Sequence, residues 1–194
     1  MTSTLLIVPA DAAAVVPWRN GGGSTRELLT RPGGSDWLLR ISLADIQRDG
    51  PFSSFAGTQR WFAVVAGAGV VLRFAERAHT LTADTPALQF DAAAGPDCSL
   101  LDGPTRDLNL MVRAGSAAML QVQAGVDWTE PFNERGLFTL CAGTLHSGPQ
   151  AGVELAPFTL AWHLGQGTCR FVPRSPGRLG WWLGWSAAAV REGS

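Results

Sequence analysis

Four short segments carry the side chains that could do chemistry. The first runs Pro17-Trp18-Arg19-Asn20-Gly21-Gly22-Gly23-Ser24-Thr25-Arg26-Glu27-Leu28 and crowds an amide, two hydroxyls, guanidinium groups and a carboxylate around three consecutive glycines. Such a glycine run costs chain entropy and is tolerated where backbone takes φ > 0 or approaches something closely. A Gly-rich turn can also present successive N–H groups to an anion. The same composition equally suits a flexible surface hairpin turn. It is neither a dinucleotide fingerprint nor a nucleophile elbow, because Arg26 stands where the closing Gly of either pattern would fall.

The second segment, Trp37-Leu38-Leu39-Arg40-Ile41-Ser42-Leu43-Ala44, alternates as a strand does. Leu39, Ile41 and Leu43 share one face, and Leu38, Arg40, Ser42 and Ala44 share the other. The third, Asp49 to Trp61, is a loop with two aromatic anchors, Phe52 and Phe55, and places Arg60 at the entry of a strand. The fourth, Asp107 to Arg113, separates Leu108, Leu110 and Val112 from Asp107, Asn109, Met111 and Arg113. Arg40, Arg60 and Arg113 thus each ride on an expected strand. Guanidinium groups stay charged and grip carboxylates in a fork, so two of them facing one cavity would select a small carboxylate. Singly, each is equally a solvated surface cation.

Other chemistries find less support. His79, His146 and His163 never approach the spacings of a metal-binding motif. Cys98, Cys141 and Cys169 are odd in number and far apart, with no C-x-x-C, so neither a zinc ribbon nor a disulfide framework is expected. Asp127, Glu130 and Glu134, around Trp128 and Pro131, read as a solvated acidic loop.

The elements that must position these groups are short strands punctuated by Gly, Pro and Asp. They are expected at Trp37–Leu43, Trp61–Val65, Val70–Phe74, Ala87–Phe90, Leu108–Arg113, Met119–Gln123, Phe138–Cys141, Phe158–His163, Cys169–Val172 and Leu179–Trp185. Residues 66–69 look like a hairpin connection, and only Leu43–Gln47 and Ser186–Glu192 suit a turn or two of helix. The rhythm is that of an all-β sandwich or barrel. A faint internal repeat, offset by roughly 70–76 residues, suits two similar β-domains in tandem.

Composition narrows the function. The chain has 194 residues, is 46% hydrophobic and 16% charged, and can therefore bury a sizeable core. A net charge of −1 gives no electrostatic case for a nucleic-acid partner. All 15 basic residues are Arg; without Lys there is no Walker-A lysine, Schiff-base lysine or kinase strand lysine. The apolar runs at 61–72 and 179–190 are too short to span a bilayer, and the N-terminus makes a poor signal peptide. A cytoplasmic protein with no membrane partner is expected.

Taken in order, Pro-Trp-Arg-Asn-Gly-Gly-Gly-Ser-Thr-Arg-Glu, Arg-Ile-Ser-Leu-Ala-Asp, Asp-Gly-Pro-Phe-Ser-Ser-Phe-Ala-Gly-Thr-Gln-Arg and Asp-Leu-Asn-Leu-Met-Val-Arg resemble the HutD/Ves family over roughly residues 5–115. The resemblance implies a bicupin, two cupin-type double-stranded β-helix barrels, with a first half at 1–115 and a second at 116–194. Both halves lack the His-rich cupin metal motif, so no metal and no cofactor is expected. HutD members are associated with bacterial histidine utilisation and Ves members with stress or cold response. The implied partner is a small carboxylate such as urocanate or formiminoglutamate.

Carried onto this chain, the ligand-binding candidates are Trp18, Asn20, Gly22, Gly23, Thr25, Glu27, Arg40, Ser42, Arg60, Asn109 and Arg113. Arg60, with Arg40 or Arg113, would clamp the carboxylate. Asn20, Thr25 and Asn109 would supply directional hydrogen bonds, and Trp18 an apolar wall. Glu27 would pair an Arg in the empty pocket or accept a bond from a ligand nitrogen. The leading expectation is a small-molecule-binding protein. The rival is a metal-independent isomerase or hydrolase with Glu27 as its acid–base group. A third reading is an interaction protein that uses its eight Trp as contact surface. Strand edges and aromatic content are compatible with a homodimer.

Overall fold

The computed structural model describes residues 4–148 and 151–188. The chain opens with β1 (Leu6–Pro9) and a 3-10 turn at Ala10–Ala12, then builds one unit over Ala13–Arg113. That unit holds β2 (Val15–Pro17), β3 (Gly23–Arg31), β4 (Leu39–Ile46), β5 (Gly50–Pro51), β6 (Gln59–Ala66), β7 (Val70–Arg73), β8 (Ala78–Leu81), β9 (Leu88–Asp91), β10 (Asp97–Leu100) and β11 (Thr105–Val112). Six strands form one antiparallel sheet in the order β2-β3-β4-β11-β6-β9, and four form another in the order β5-β10-β7-β8. From β4 to β11 the chain passes repeatedly between the two sheets, the winding of a double-stranded β-helix.

Period-two alternation explains how the strands are covered. Leu39, Ile41 and Leu43 are wholly buried on one face of β4, and Arg40, Ser42 and Ala44 take the other. Phe62 and Val64 of β6, Val70 and Leu72 of β7, Leu81, Phe90 and Cys98 gather into one apolar cluster.

The second unit comprises Met1–Ala12 together with Ala114–Ser194. Its remaining strands are β12 (Ser116–Gln121), β13 (Glu134–Thr139), β14 (Gly143–Ser147), β15 (Val153–Leu155), β16 (Thr159–Trp162), β17 (Cys169–Pro173) and β18 (Gly180–Ser186). They form sheets in the orders β1-β16-β13-β18-β12 and β15-β14-β17. The order β4-β11-β6-β9 of the first unit recurs as β12-β18-β13-β16, and β10-β7-β8 recurs as β17-β14-β15. Taken strand for strand, β6 to β11 begin 71 to 75 residues before β13 to β18. The offset seen in sequence is therefore a repeat of topology.

The described residues are all-β, with two 3-10 turns and no α-helix. The units divide differently from a cut at 115/116, because β1 adds to β16 and carries the N-terminal segment into the second unit. Residues 66–69 do not close a ladder: β6 belongs to the six-stranded sheet and β7 to the four-stranded one, so this turn moves the chain between sheets. Leu43–Gln47 is not helical, since Leu39–Ile46 is a single strand held on both sides by β3 and β11. Of the helical turn expected at Ser186–Glu192, Ser186 closes β18 and residues 189–192 lie outside the described residues. No helix among the described residues is long and apolar enough to cross a membrane.

The turn between the sheets is where glycine is obligatory. Gly69 sits at φ +127, and a Cβ there would lie 2.3 Å from the Leu81 carbonyl oxygen. Gly69→Ala is expected to destabilise the protein by about 3 kcal/mol, through left-handed strain and backbone collision. Gly33→Ala, where a Cβ meets nothing within 4 Å, should stay within about 0.5 kcal/mol of wild type. Equilibrium denaturation of both variants measures the difference.

Candidate functional site

A cavity of about 430 Å³ opens within the Ala13–Arg113 unit. Strand register builds its base. Arg40 on β4 stands opposite Met111 on β11, Met111 opposite Arg60 on β6, and Arg60 opposite Phe90 on β9. One row therefore carries two guanidinium groups with a thioether between them. The adjoining row places Glu27, Ser42, Asn109 and Phe62 side by side. Two loops complete the wall, one with Pro17, Trp18, Arg19 and Asn20, the other with Pro51, Phe52, Ser53 and Phe55.

Arg60 is the electrostatic centre. It is only 8% exposed, and its Nε and Nη2 both donate to Asn109 Oδ1, at 2.9 and 2.5 Å. Asn109 is fixed in turn by Nδ2 donating to the Asp107 carbonyl at 3.2 Å. The guanidinium lies 4.3 Å from the Phe52 ring centre and within 5.7 Å of those of Phe62 and Phe90. Aromatic faces attract a cation without neutralising it. Burial lowers the Arg60 pKa to about 10, with Asp107 opposing the shift and Arg40 adding to it. The group is still a cation at neutral pH. Among the described residues, no hydrogen-bond acceptor meets its Nη1.

Arg40 is held differently. Its Nε donates to Glu27 Oε2 at 2.9 Å in a half-open ion pair. Trp18 forms the apolar wall, anchored by Nε1 donating to Thr25 Oγ1 at 2.8 Å. Two of the three glycines turn their N–H groups into the loop itself. Gly21 N–H donates to the Trp18 carbonyl and Gly22 N–H to Asn20 Oδ1, so these groups are spent internally. Gly23 is required by close approach, since a Cβ there would fall 2.3 Å from the Asp45 oxygen and 3.1 Å from the Trp18 ring.

Of the sequence candidates, Trp18, Asn20, Thr25, Arg40, Ser42, Arg60 and Asn109 line the cavity. Gly22, Gly23, Glu27 and Arg113 do not. Arg113 lies just past the end of β11, where its guanidinium stacks 4.0 Å from the Trp37 ring centre and bonds the Ser35 and Trp37 carbonyls. Trp37 packs with Phe55, Ala92 and Met111, so Arg113 supports the cavity from behind. Sequence reasoning left out Ala44 and Met111, although alternation places them with Ser42 and Asn109, and it left out Arg19, Phe52, Ser53 and Phe55 of the two loops. The lining contains no His, Cys, Asp or Glu, and three Arg repel a cation. The cavity does not fit the metal that cupin barrels often hold, and among the described residues no three potential ligands converge elsewhere.

Comparison with known proteins identifies the family. The sequence model of the HutD family matches residues 10–172. The chain belongs to the HutD family. An uncharacterised 21.2 kDa protein in the hutC 3′ region of Pseudomonas putida is 36% identical over 113 residues, covering 56% of this chain and 58% of that relative. Protein Ves of Citrobacter koseri is 29% identical over 158 residues, 80% of this chain and 81% of that one. Among solved structures, a conserved protein of unknown function from Pseudomonas aeruginosa PAO1 superposes with a TM-score of 0.83 at 28% identity, over 96% of this chain and 100% of that one. HutD from Pseudomonas fluorescens SBW25 superposes at 0.81 with 24% identity and the same coverage, which supports the shared fold.

The Arg60–Asn109 contact gives this HutD-family cavity a measurable internal coupling. Asn109→Ala leaves a buried cation without its acceptor and should cost about 2–4 kcal/mol. Arg60→Met in that background should cost much less than in wild type, because the charge needing an acceptor is then gone. A double-mutant cycle by denaturant unfolding reads the coupling.

Proposed function

We propose that this HutD-family protein binds a small carboxylate in the 13–113 cavity and acts as a binding or regulatory component, in histidine utilisation or a stress response. One observation carries the reading. Arg60 is a buried cation whose charge is met by an amide and aromatic rings, with Nη1 left over. A guanidinium in a low-dielectric pocket is a strong anion site, and bidentate or charge-assisted bonds favour carboxylates. The volume, at the small end of ligand sites, suits a metabolite of about ten heavy atoms. Trp18, Phe52 and Phe55 offer flat apolar walls, and Ser42, Ser53 and Asn20 offer directional bonds. Urocanate and formiminoglutamate both fit that chemistry. The enzyme alternative gains no specific support, because Glu27, its acid–base candidate, is absent from the lining and pairs with Arg40.

The test is a thermal-shift and calorimetry panel of urocanate, formiminoglutamate, formylglutamate, histidine and glutamate, run on wild type, Arg60→Met and Arg40→Ala. A ligand at 100 times its Kd adds about 2.7 kcal/mol of stability. One compound should stabilise wild type, lose most of its effect in Arg60→Met and weaken in Arg40→Ala. A panel in which no compound shifts a well-folded wild type defeats the carboxylate reading. Turnover of the bound compound would move the assignment to an enzyme.

A further inference from the structure

Below the Arg60–Asn109 contact lies a carboxyl group that the cavity wall does not use. Asp107 shares the face of β11 that carries Asn109 and Met111, and it is wholly buried. Its Oδ2 accepts a bond from the Thr105 hydroxyl at 2.8 Å, and its Oδ1 has no partner. Among the described residues, no neighbouring donor bonds this carboxyl oxygen: Arg60 gives Nε and Nη2 to the Asn109 amide oxygen and leaves Nη1 without an acceptor, and Asn109 Nδ2 reaches the Asp107 backbone.

A carboxylate removed from water with one bond from a neutral hydroxyl is poorly solvated, whereas a carboxylic acid tolerates the same surroundings. The register sets apolar groups beside it, Ala44 on β4 and Val64 on β6. The charged groups in range are Arg60 from β6 and Asp45 from β4, and Arg40 of β4 acts in turn on Arg60. From the facing sheet comes Cys98 of β10, a thiol that burial, with Asp107 and Asp49, holds up at about 12. Burial likewise raises Asp107 to about 8. The Thr105 bond and Arg60 only partly oppose that rise, and Asp45 adds to it.

We infer that Asp107 is a proton-carrying positioning residue that sets the charge of the cavity floor through Arg60. As an acid it leaves the guanidinium charge to an incoming anion at Nη1. As a carboxylate it claims that charge itself and closes the site to anions. This rests on the anion-binding reading of the cavity, but the state of Asp107 can be read without any ligand.

The first measurement is a pH titration of wild-type protein with ¹³C-labelled Asp carboxyls. One Asp signal should stay protonated at pH 6 and titrate near pH 8. Titration of every Asp carboxyl below pH 6 overturns the inference. The second compares melting of wild type and Asp107→Asn across pH. The folded acid keeps a proton that the unfolded chain releases above about pH 4, so wild type loses stability as pH rises from about 4 to about 8. The variant is spared that loss, and the gap should widen in its favour by several degrees; parallel curves count against a buried acid. The third is urocanate calorimetry at pH 7 and pH 8.5, where Arg60 keeps its charge. Affinity should fall about fourfold in wild type and hold steady in Asp107→Asn. An equal fall in both removes Asp107 from control of the site. Absence of urocanate heat in both speaks against the carboxylate reading of the cavity, and Asp107 is then decided by the carboxyl titration.

Discussion

A guanidinium inside a β-barrel must be given acceptors or it destabilises the fold, and the arrangement around Arg60 follows from that requirement. A carboxylate partner would satisfy it and also cancel the charge. Here the acceptor is the Asn109 amide oxygen, which takes two N–H bonds while remaining neutral. Three phenylalanine rings supply the rest of the surroundings, and they too leave the net charge intact. The positive charge is thus stabilised but not neutralised, which is the condition an anion site needs. At the half-exposed end of the same row, Arg40 is paired with a carboxylate, as a more solvated cation can be at little cost.

The internal repeat shows the other solution to the same problem. Arg60 is the second residue of β6, and Arg135 is the second residue of β13, the strand that occupies the same place in the second unit. Arg135 is 1% exposed, and its Nη1 donates to the Gly165 and Gly167 carbonyls while Nη2 donates to that of Trp128. Trp128 covers the guanidinium at 4.4 Å and stacks on Trp182. By register Trp182 stands where the first unit has Asn109, and Gly184, covered by Phe132, stands where it has Met111. Backbone carbonyls take both terminal nitrogens of Arg135 and aromatics cover it, leaving its buried Nε without a partner, whereas the other unit presents its arginine to a cavity. The same buried cation serves as a loop anchor in one case and as a candidate binding group in the other. The difference lies in what fills the space before it.

The all-β fold and the repeat were legible because period-two alternation and Gly punctuation are local signals. Strand β3 was not. Ser24 to Glu27 is polar on both faces, and the partners that make it a strand, Asp45 for Arg26 and Arg40 for Glu27, come from β4. Leu43, Ala44 and Ile46 fit a helical spacing as well as a strand, and pairing on both sides decided between them. Parity placed Asn109, Arg40 and Ser42 on the cavity face correctly. It failed for Arg113 because β11 stops at Val112, and alternation has no meaning beyond the last ladder pair. The row that joins Arg40, Met111 and Arg60 depends on the register between strands, which no single segment encodes. Burial depth was equally illegible: Asp107 and Asn109 share a face, yet only Asn109 reaches the cavity.

The mouth of the cavity is as fixed as its floor. Trp18 is tied to Thr25 by its indole N–H and to Gly23 by its backbone N–H. The Gly22 carbonyl accepts from both Gln47 and Arg48, which pins the glycine run to the end of β4. Asn20 closes the turn on Gly22. Glycine makes this loop possible, but hydrogen bonds to neighbouring strands deny it the freedom that its composition suggests. A binding site whose wall and floor are set before the ligand arrives avoids most of the ordering cost of binding. It also discriminates by shape, because misplaced polar groups cannot relax toward a poor ligand. On the proposed carboxylate reading, a fixed cation and fixed aromatic walls in so small a cavity favour compact anions that match their shape.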